Sequence, residues 1–276
     1  MQIIGKILYN KELSPDYFRM CIGFQDVVKD IIPGQFIMLR TGETHDPLLR
    51  RPMGIHKVVG DGKGIEILYQ VVGRGTSIMS AMRKGDRIDL LGPLGNGFKI
   101  DPDMKRAVIV AGGIGVAPMA ALVEEIRGHG GAWGREHGAG GMGQRTKIEV
   151  FLGGKTRGDI LCVDDLKGLG ADVYIATEDG SLGYKGVVTD LLKERMAEKD
   201  SGFTIFSCGP NAMLKSTAEI ALRYNIPCQI SLDKRMACGV GACLSCVVKV
   251  KSLPPTPCYK CVCTDGPVFD AKEIAW

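Results

Sequence analysis

Apolar and polar residues alternate in short runs through the N-terminal third of the chain: IIGKILYN, FRMCIGF, GQFIML, GIHKVV, IEILYQVV and DRIDLLG. A period of two turns one side of each run inward and the other toward water, which is the pattern of a half-buried strand. Turn-forming clusters SPD, PGQ, GDGKG and RKGD separate the runs, so an antiparallel barrel or sandwich is expected. One helix-like piece, TSIMSAMRKG, interrupts them, with Thr76 or Ser77 placed to cap it.

The pattern changes at Asp101-Pro102. RAVIVA is a continuous apolar run, as expected of a strand buried on both faces. A glycine-rich turn and the helix MAALVEEIRGH follow. Then come KIEVFLGG, a charged helix-like stretch, ADVYIATED, the helix VVTDLLKERMAEK, FTIFSCGP and the helix AMLKSTAEIALRYN. Strand alternating with helix indicates an α/β domain with a doubly wound parallel sheet. Residues 128–146, GHGGAWGREHGAGGMGQRT, read as a glycine-rich surface loop in which nothing orients His129 or His137 toward a metal. Residues 231–276 are too few to bury a good core alone, and a metal cluster can supply the missing stability. The expected division is a barrel over 1–101, an α/β domain over 102–230 and a small module over 231–276.

Composition narrows the function. Among 276 residues, 45% are apolar and 24% charged, as in a water-soluble globular protein. Net charge is +4, no Lys/Arg run exceeds two residues and aromatics are 6%, so neither a nucleic-acid footprint nor a base-stacking platform is expected. The N-terminus lacks the pattern of a signal peptide and no run of about 18 apolar residues occurs, so no membrane association and a cytoplasmic location are expected. Of ten cysteines, Cys21, Cys162, Cys208 and Cys228 are scattered and read as small core residues, whereas the other six fall between 238 and 263.

CGVGACLSC sets Cys238-x4-Cys243-x2-Cys246, the spacing of a plant-type [2Fe–2S] loop. Gly239 and Gly241 let the backbone wrap closely and turn N–H groups toward sulfur. The alternative is a zinc ribbon using Cys243 with Cys246 and Cys258 with Cys261, but it leaves Cys238, Cys263 and the glycine loop unexplained. Disulfides are disfavoured in a reducing compartment. Spacing alone does not choose the fourth ligand among Cys258, Cys261 and Cys263.

Four further segments have the chemistry of phosphate or flavin sites. Arg50-Arg51-Pro52-Met53-Gly54 follows the strand GQFIMLR, where an arginine can hold a pyrophosphate. An ordinary surface loop fits it as well. Gly73-Arg74-Gly75-Thr76-Ser77 opens a helix, whose bare N–H groups and the Thr76 hydroxyl are phosphate donors, unless it is a plain capped helix. Gly112, Gly113, Gly115 and Pro118 lie in AGGIGVAP between a buried strand and a helix, where glycine lets the backbone approach a pyrophosphate. The bland alternative is a tight turn. Cys208, Gly209 and Pro210 end another parallel strand, at the edge where such sheets bind ligands. Cys208 is either a packed thiol or a neighbour of the nicotinamide.

In order along the chain, RRPxxI, GRGTS, GPLGNGF, AGGIGVAP, TEDGS, SCGP and the cysteine cluster resemble the ferredoxin-reductase superfamily with an iron–sulfur tail. More specifically, the chain resembles the electron-transfer subunits of class 1B dihydroorotate dehydrogenase, above all over SLDKRMACGVGACLSCVVKV and VCTDGPVFDA. The resemblance implies an FAD-binding barrel, an NAD-binding α/β domain and a [2Fe–2S] module. It implies that Arg51, Pro52, Met53, Gly54, Leu68, Tyr69 and Gln70 hold FAD, that Gly75 and Thr76 take its pyrophosphate, and that Cys238, Cys243, Cys246 and Cys263 bind the cluster. It further implies that the chain works in pyrimidine biosynthesis with an FMN-containing dihydroorotate dehydrogenase catalytic subunit, two copies of each, and passes electrons to NAD+. Related electron-transfer chains that serve ferredoxin:NADP oxidoreductase or sulfide dehydrogenase complexes tend to have an altered first-ligand region, unlike the intact CGVGACLSC here. Gly54 departs from the Ser or Thr usual near the flavin, and 128–146 is set apart as an insertion. Glu178 and Asp179 are placed to favour NADH over NADPH, and the apolar loop 236–244 (Met236, Ala237, Val240, Ala242, Leu244) is placed to meet a partner.

Overall fold

The computed structural model of the chain describes residues 1–25, 31–42, 46–60, 62–128, 146–196, 202–251 and 258–276. The first alternating runs become β1 (Gln2–Ser14), β2 (Tyr17–Gly23), β3 (Phe36–Arg40), β4 (Arg51–Val59), β5 (Gly64–Gln70) and, after helix α1 (Arg74–Ala81), β6 (Arg87–Leu94). They close into a barrel in the order β1-β2-β5-β4-β3-β6 with every pairing antiparallel. Inward residues such as Ile7, Met20, Ile22, Ile37, Leu39, Ile55, Ile67 and Leu90 fill it, each no more than 1% exposed.

The start of α1 departs from the expected cap. Gly73, not Thr76 or Ser77, is the N-cap residue. Thr76 sits in the first turn and its hydroxyl reaches back, accepting from Val72 N (2.9 Å) and Gly73 N (3.2 Å) and donating to Gly73 O (3.0 Å). A threonine three positions inside the helix is better placed than the cap itself to close this turn.

Beyond the barrel, β7 (Arg106–Gly112), α2 (Met119–Ile126), β8 (Lys147–Gly154), α3 (Val163–Gly168), β9 (Asp172–Thr177), β10 (Tyr184–Lys185), α4 (Val188–Met196), β11 (Phe203–Cys208), α5 (Asn211–Arg223) and β12 (Cys228–Ser231) alternate as the pattern predicts. The strands are parallel. On β7, Ala107 and Ile109 pack with Met119, Leu122 and Val123 of α2 and Leu166 of α3. Val108 and Val110 face the other way, in the cluster that holds Val188, Leu192, Leu214 and Ala218 of α4 and α5. Helices therefore cover both faces. The end of the helix drawn through VVTDLLKERMAEK and most of 128–146, including His129 and His137, lie outside the described residues.

After the cysteine loop, β13 (Val247–Val250) pairs antiparallel with β14 (Cys258–Cys261), and β15 (Val268–Asp270) returns to lie antiparallel on β12. The large sheet has the order β10-β9-β8-β7-β11-β12-β15, so its winding reverses between β7 and β11. No helix among the described residues is long and apolar enough to cross a membrane.

Candidate functional site

Three places converge: a cradle on the barrel, a crevice where the sheet reverses, and the cysteine loop. On the barrel, Arg50 and Arg51 have different tasks. Arg50 grips Asp89 of β6 with two hydrogen bonds (Nη1–Oδ1 3.0 Å, Nη2–Oδ2 2.6 Å), so it braces the barrel. The Arg51 guanidinium instead lies over the first turn of α1. A Cβ added to Gly75 would fall 2.8 Å from Arg51 Cζ, so glycine is what lets the cation rest on the helix start. The first N–H groups of a helix lack intrahelical partners, and together with a guanidinium they make an anion cradle. The Thr76 hydroxyl proton goes to Gly73 O, so the donors left at this turn are backbone groups and Arg51. A Cβ on Gly54 or Gly73 would meet nothing within 4 Å, which leaves an open face along β4 for a planar ring. Met53 and Tyr69 point into the barrel, Tyr69 1% exposed and stacked on Phe18, so they offer such a ring only backbone. Leu68 faces out of the barrel toward the α/β domain.

The crevice opens where β7 and β11 end side by side, with Cys208 opposite Ala111. A Cβ on Gly115 would fall 2.5 Å from the carbonyl carbon of Cys208 and 2.7 Å from Gly209 Cα. On Gly112 it would fall 2.8 Å from Pro210 Cδ, and on Gly209 (φ 152°) 2.9 Å from Gly112 N. These glycines seat one loop against the other. Gly113 (φ 53°) alone of the group looks outward, its missing Cβ 4.0 Å from Tyr17 Oη, and Pro118 leads into α2. Burial pushes the Cys208 thiol up to about 12, so it stays neutral. Just past β9, two strands along the sheet from β7, Asp179 accepts from Ser181 N (2.9 Å) and Ser181 Oγ (2.6 Å), which holds its carboxyl below the usual range. It is tied into its own turn, whereas Glu178 is exposed.

In the cysteine loop, N–H groups aim at sulfur. Val240 N and Cys243 N each donate to Cys238 Sγ (3.4 Å), Gly241 N donates to Cys263 Sγ (3.2 Å), and Cys263 N donates to Cys246 Sγ (3.4 Å). Positive φ at Gly239 (73°), Gly241 (81°) and Leu244 (55°) makes the wrap possible. Hydrogen bonds, first from Ser245 and then from Cys238, pull the Cys243 thiol down to about 6. Cys263 joins both arms of the loop. Cys261 also meets Cys246, while Cys258 is exposed at the outer end of β14, opposite Val250. The proline-rich turn 252–257 lies outside the described residues. Among the described residues, no three of these thiols lie within 4.8 Å of one another. Backbone N–H groups donating to the sulfurs of Cys238, Cys246 and Cys263 are the surroundings that a thiolate-bound iron–sulfur cluster takes.

The loop sits directly on the barrel. A Cβ on Gly239 would fall 2.6 Å from Met38 Cγ, and Met38 on β3 is the register partner of Pro52 on β4. GPLGNGF forms the other support: Asn96 Nδ2 donates to Thr264 O (2.9 Å), and Gly95 approaches Pro267. Around the cysteines, Val240 (51%), Leu244 (61%) and Tyr259 (57%) are exposed, but Met236 is only 8% exposed. That corrects its place in the expected partner face, since it joins the core cluster of Ile230 and Leu232.

A second polar group joins barrel to sheet and was not visible in the sequence. His56, Cys162 and Asp165 bring potential ligand atoms within 4.8 Å of one another. Arg19 donates to both Cys162 Sγ (3.6 Å) and Asp165, so a guanidinium already supplies the cation there. His56 Nδ1 lies 2.7 Å from Ala117 O, and burial holds the imidazole down to about 4, hence neutral.

Residues 233–275 match the iron-sulfur cluster binding domain of dihydroorotate dehydrogenase B, and 109–219 match an oxidoreductase NAD-binding domain. The dihydroorotate dehydrogenase B (NAD(+)) electron transfer subunit of Desulforamulus reducens is 38% identical over 272 residues, covering 99% of this chain and 97% of the relative. The chain belongs to the dihydroorotate dehydrogenase B electron transfer subunit family. The subunit of the same name from Caldanaerobacter subterraneus subsp. tengcongensis is 37% identical, covering 98% of this chain and 97% of the relative. Among solved structures, that of an NADH-dependent reduced ferredoxin-NADP oxidoreductase superposes with a TM-score of 0.80 at 27% identity, covering 99% of this chain and 90% of that one. A ferredoxin NADP+ reductase from Neisseria gonorrhoeae, with bound FAD and NADP, shares the fold at 20% identity and a TM-score of 0.63, covering 81% and 91% of the two chains.

Proposed function

We propose that this chain carries electrons from an FMN-containing dihydroorotate dehydrogenase catalytic subunit to NAD+ in pyrimidine biosynthesis, holding FAD on the barrel and a [2Fe–2S] cluster in the cysteine loop. The observation that carries the reading is the seating of Gly239 on Met38, the strand partner of Pro52, which makes the cysteine loop and the flavin cradle neighbours. Flavin supplies hydride exchange with nicotinamide and single-electron exchange with an iron–sulfur cluster.

The chain's own residues bind and orient. Arg51, Gly75 and the Thr76 amide hold the pyrophosphate, while Pro52, Gly54 and Gln70, with the backbone of Met53, Leu68 and Tyr69, border the ring. Gly112, Gly113, Gly115, Pro118, Gly209 and Pro210 shape the nucleotide crevice beside the neutral Cys208. Cys238, Cys243, Cys246 and Cys263 are the cluster ligands. Glu178, free where Asp179 is tied, repels a 2′-phosphate and favours NAD(H). The exposed apolar rim of Val240, Ala242, Leu244 and Tyr259 beside Cys243 is the docking face for the catalytic subunit.

Anaerobically purified protein tests this. One FAD and two irons per chain, with NADH-driven reduction of an artificial dye, are expected. Stoichiometric zinc with negligible iron, or a flavin-loaded chain inert to NADH, overturns the reading.

A further inference from the structure

Tyr17 opens β2 opposite Gln70 of β5, on the strand proposed to border the flavin, and is 6% exposed. Its hydroxyl donates to Asp159 Oδ1 (2.9 Å). The other oxygen of that carboxylate accepts from Lys155 N and Thr156 N (3.0 Å each), closing the turn that follows β8 at the edge of the crevice. A second stitch runs from Ser14 Oγ to Gly158 O (3.0 Å). From the turn, Arg157 N donates to Ser181 Oγ (2.8 Å), and Glu178 N and Asp179 N donate to Gly154 O and Lys155 O (3.1 Å each). Tyr17 Oη also lies 4.0 Å from the missing Cβ of Gly113, the outward-facing glycine of the crevice. Tyr17 thus pairs by its backbone with the flavin-side strand, while its hydroxyl bonds the turn that supports Glu178 and lies beside the glycine loop.

We propose that Tyr17 is a positioning residue for the nicotinamide nucleotide, fixing the 155–159 turn relative to the flavin-side strand through Asp159, beside the Gly113 loop. This rests on the crevice being the nucleotide site. The ring itself packs with Leu68 and Val116, so Tyr17→Phe keeps the core and removes only the donor. An Asp159 carboxylate stripped of one charge-assisted hydrogen bond no longer holds the turn in one place, and the loss is felt in ground-state binding of the nucleotide.

The test is steady-state NADH:dye oxidoreduction by the FAD- and cluster-loaded chain. Tyr17→Phe is expected to raise KM for NADH about tenfold while kcat, the visible spectrum and the melting temperature stay near wild type. Asp159→Ala, which removes the acceptor of both turn amides and of Tyr17, should raise KM further. Adding Tyr17→Phe to it should then cost much less than the factor measured alone, because both act through one link. An unchanged KM in Tyr17→Phe, fully multiplicative effects, or a KM rise matched by a fall in melting temperature overturns the assignment. A wild-type chain that oxidises no NADH overturns the functional reading itself, and this assignment with it.

Discussion

Adding a single methyl group at Gly115 should cripple the nucleotide crevice while sparing flavin and cluster. In Gly115→Ala the new Cβ would sit 2.5 Å from the Cys208 carbonyl carbon and 2.7 Å from Gly209 Cα, about 1 Å inside ordinary contact. The obstructing atoms are backbone, pinned by the β7–β11 pairing and by Ser207 Oγ donating to Val110 O (3.0 Å). They cannot yield locally, so the glycine loop moves by about the same distance and carries Gly113 with it. Overpacking of this kind costs about 1–3 kcal/mol of stability. A reacting group misplaced by ~1 Å loses on the order of 10²-fold in rate. Dye-linked NADH oxidation should fall by roughly that factor, with flavin and iron content unchanged and a modest drop in melting temperature. Activity within about twofold of wild type in a variant that melts normally would falsify the claim that the close approach of these two loops shapes the nucleotide site.

Three other outcomes are expected. Replacing Cys263 with Ser should bleach or shift the cluster spectrum, whereas Cys258→Ser should not and Cys261→Ser should leave it intact; a cluster lost only in Cys261→Ser reassigns the fourth ligand. His56 is held near 4 by burial, below its ordinary ~6.5, so its contribution is present above ~6.5 and lost as pH falls toward 4, about 2 kcal/mol between pH 7 and pH 5. The charged groups facing it, Arg19, Glu66 and Asp165, stay in His56→Asn, which can still donate to Ala117 O; melting curves should depend less on pH in the variant, and identical slopes contradict this. Introducing Asp at Leu244, 61% exposed, should weaken co-elution with the catalytic subunit and leave NADH:dye activity alone, while undiminished association places the interface elsewhere.

Local periods carried most of the architecture. The alternating runs and the RAVIVA-type strands name their own partners' faces, because period and burial are set within a few residues. The three-residue β15 is different: VFD becomes a strand only because β12 has an open edge for it, a tertiary fact. The same division runs through the site. Cys238, Cys243 and Cys246 lie in one loop and their spacing announces a cluster, whereas Cys263 is brought in by a hairpin return. Met236 reads as part of an exposed apolar loop, yet the turn of the chain puts it in the core. Tyr17 and Asp159 stand 142 positions apart, and His56 meets Ala117 across 61, so no motif could join them.

Mixing the cofactor-loaded chain with its dihydroorotate dehydrogenase catalytic subunit, supplying dihydroorotate and NAD+, and following NADH absorbance decides whether this chain is the electron-transfer subunit in fact. NADH should form only when both chains are present, with the catalytic subunit alone able to reduce dyes but not NAD+. NAD+ reduction at the same rate without this chain, or none with it, would contradict the assignment.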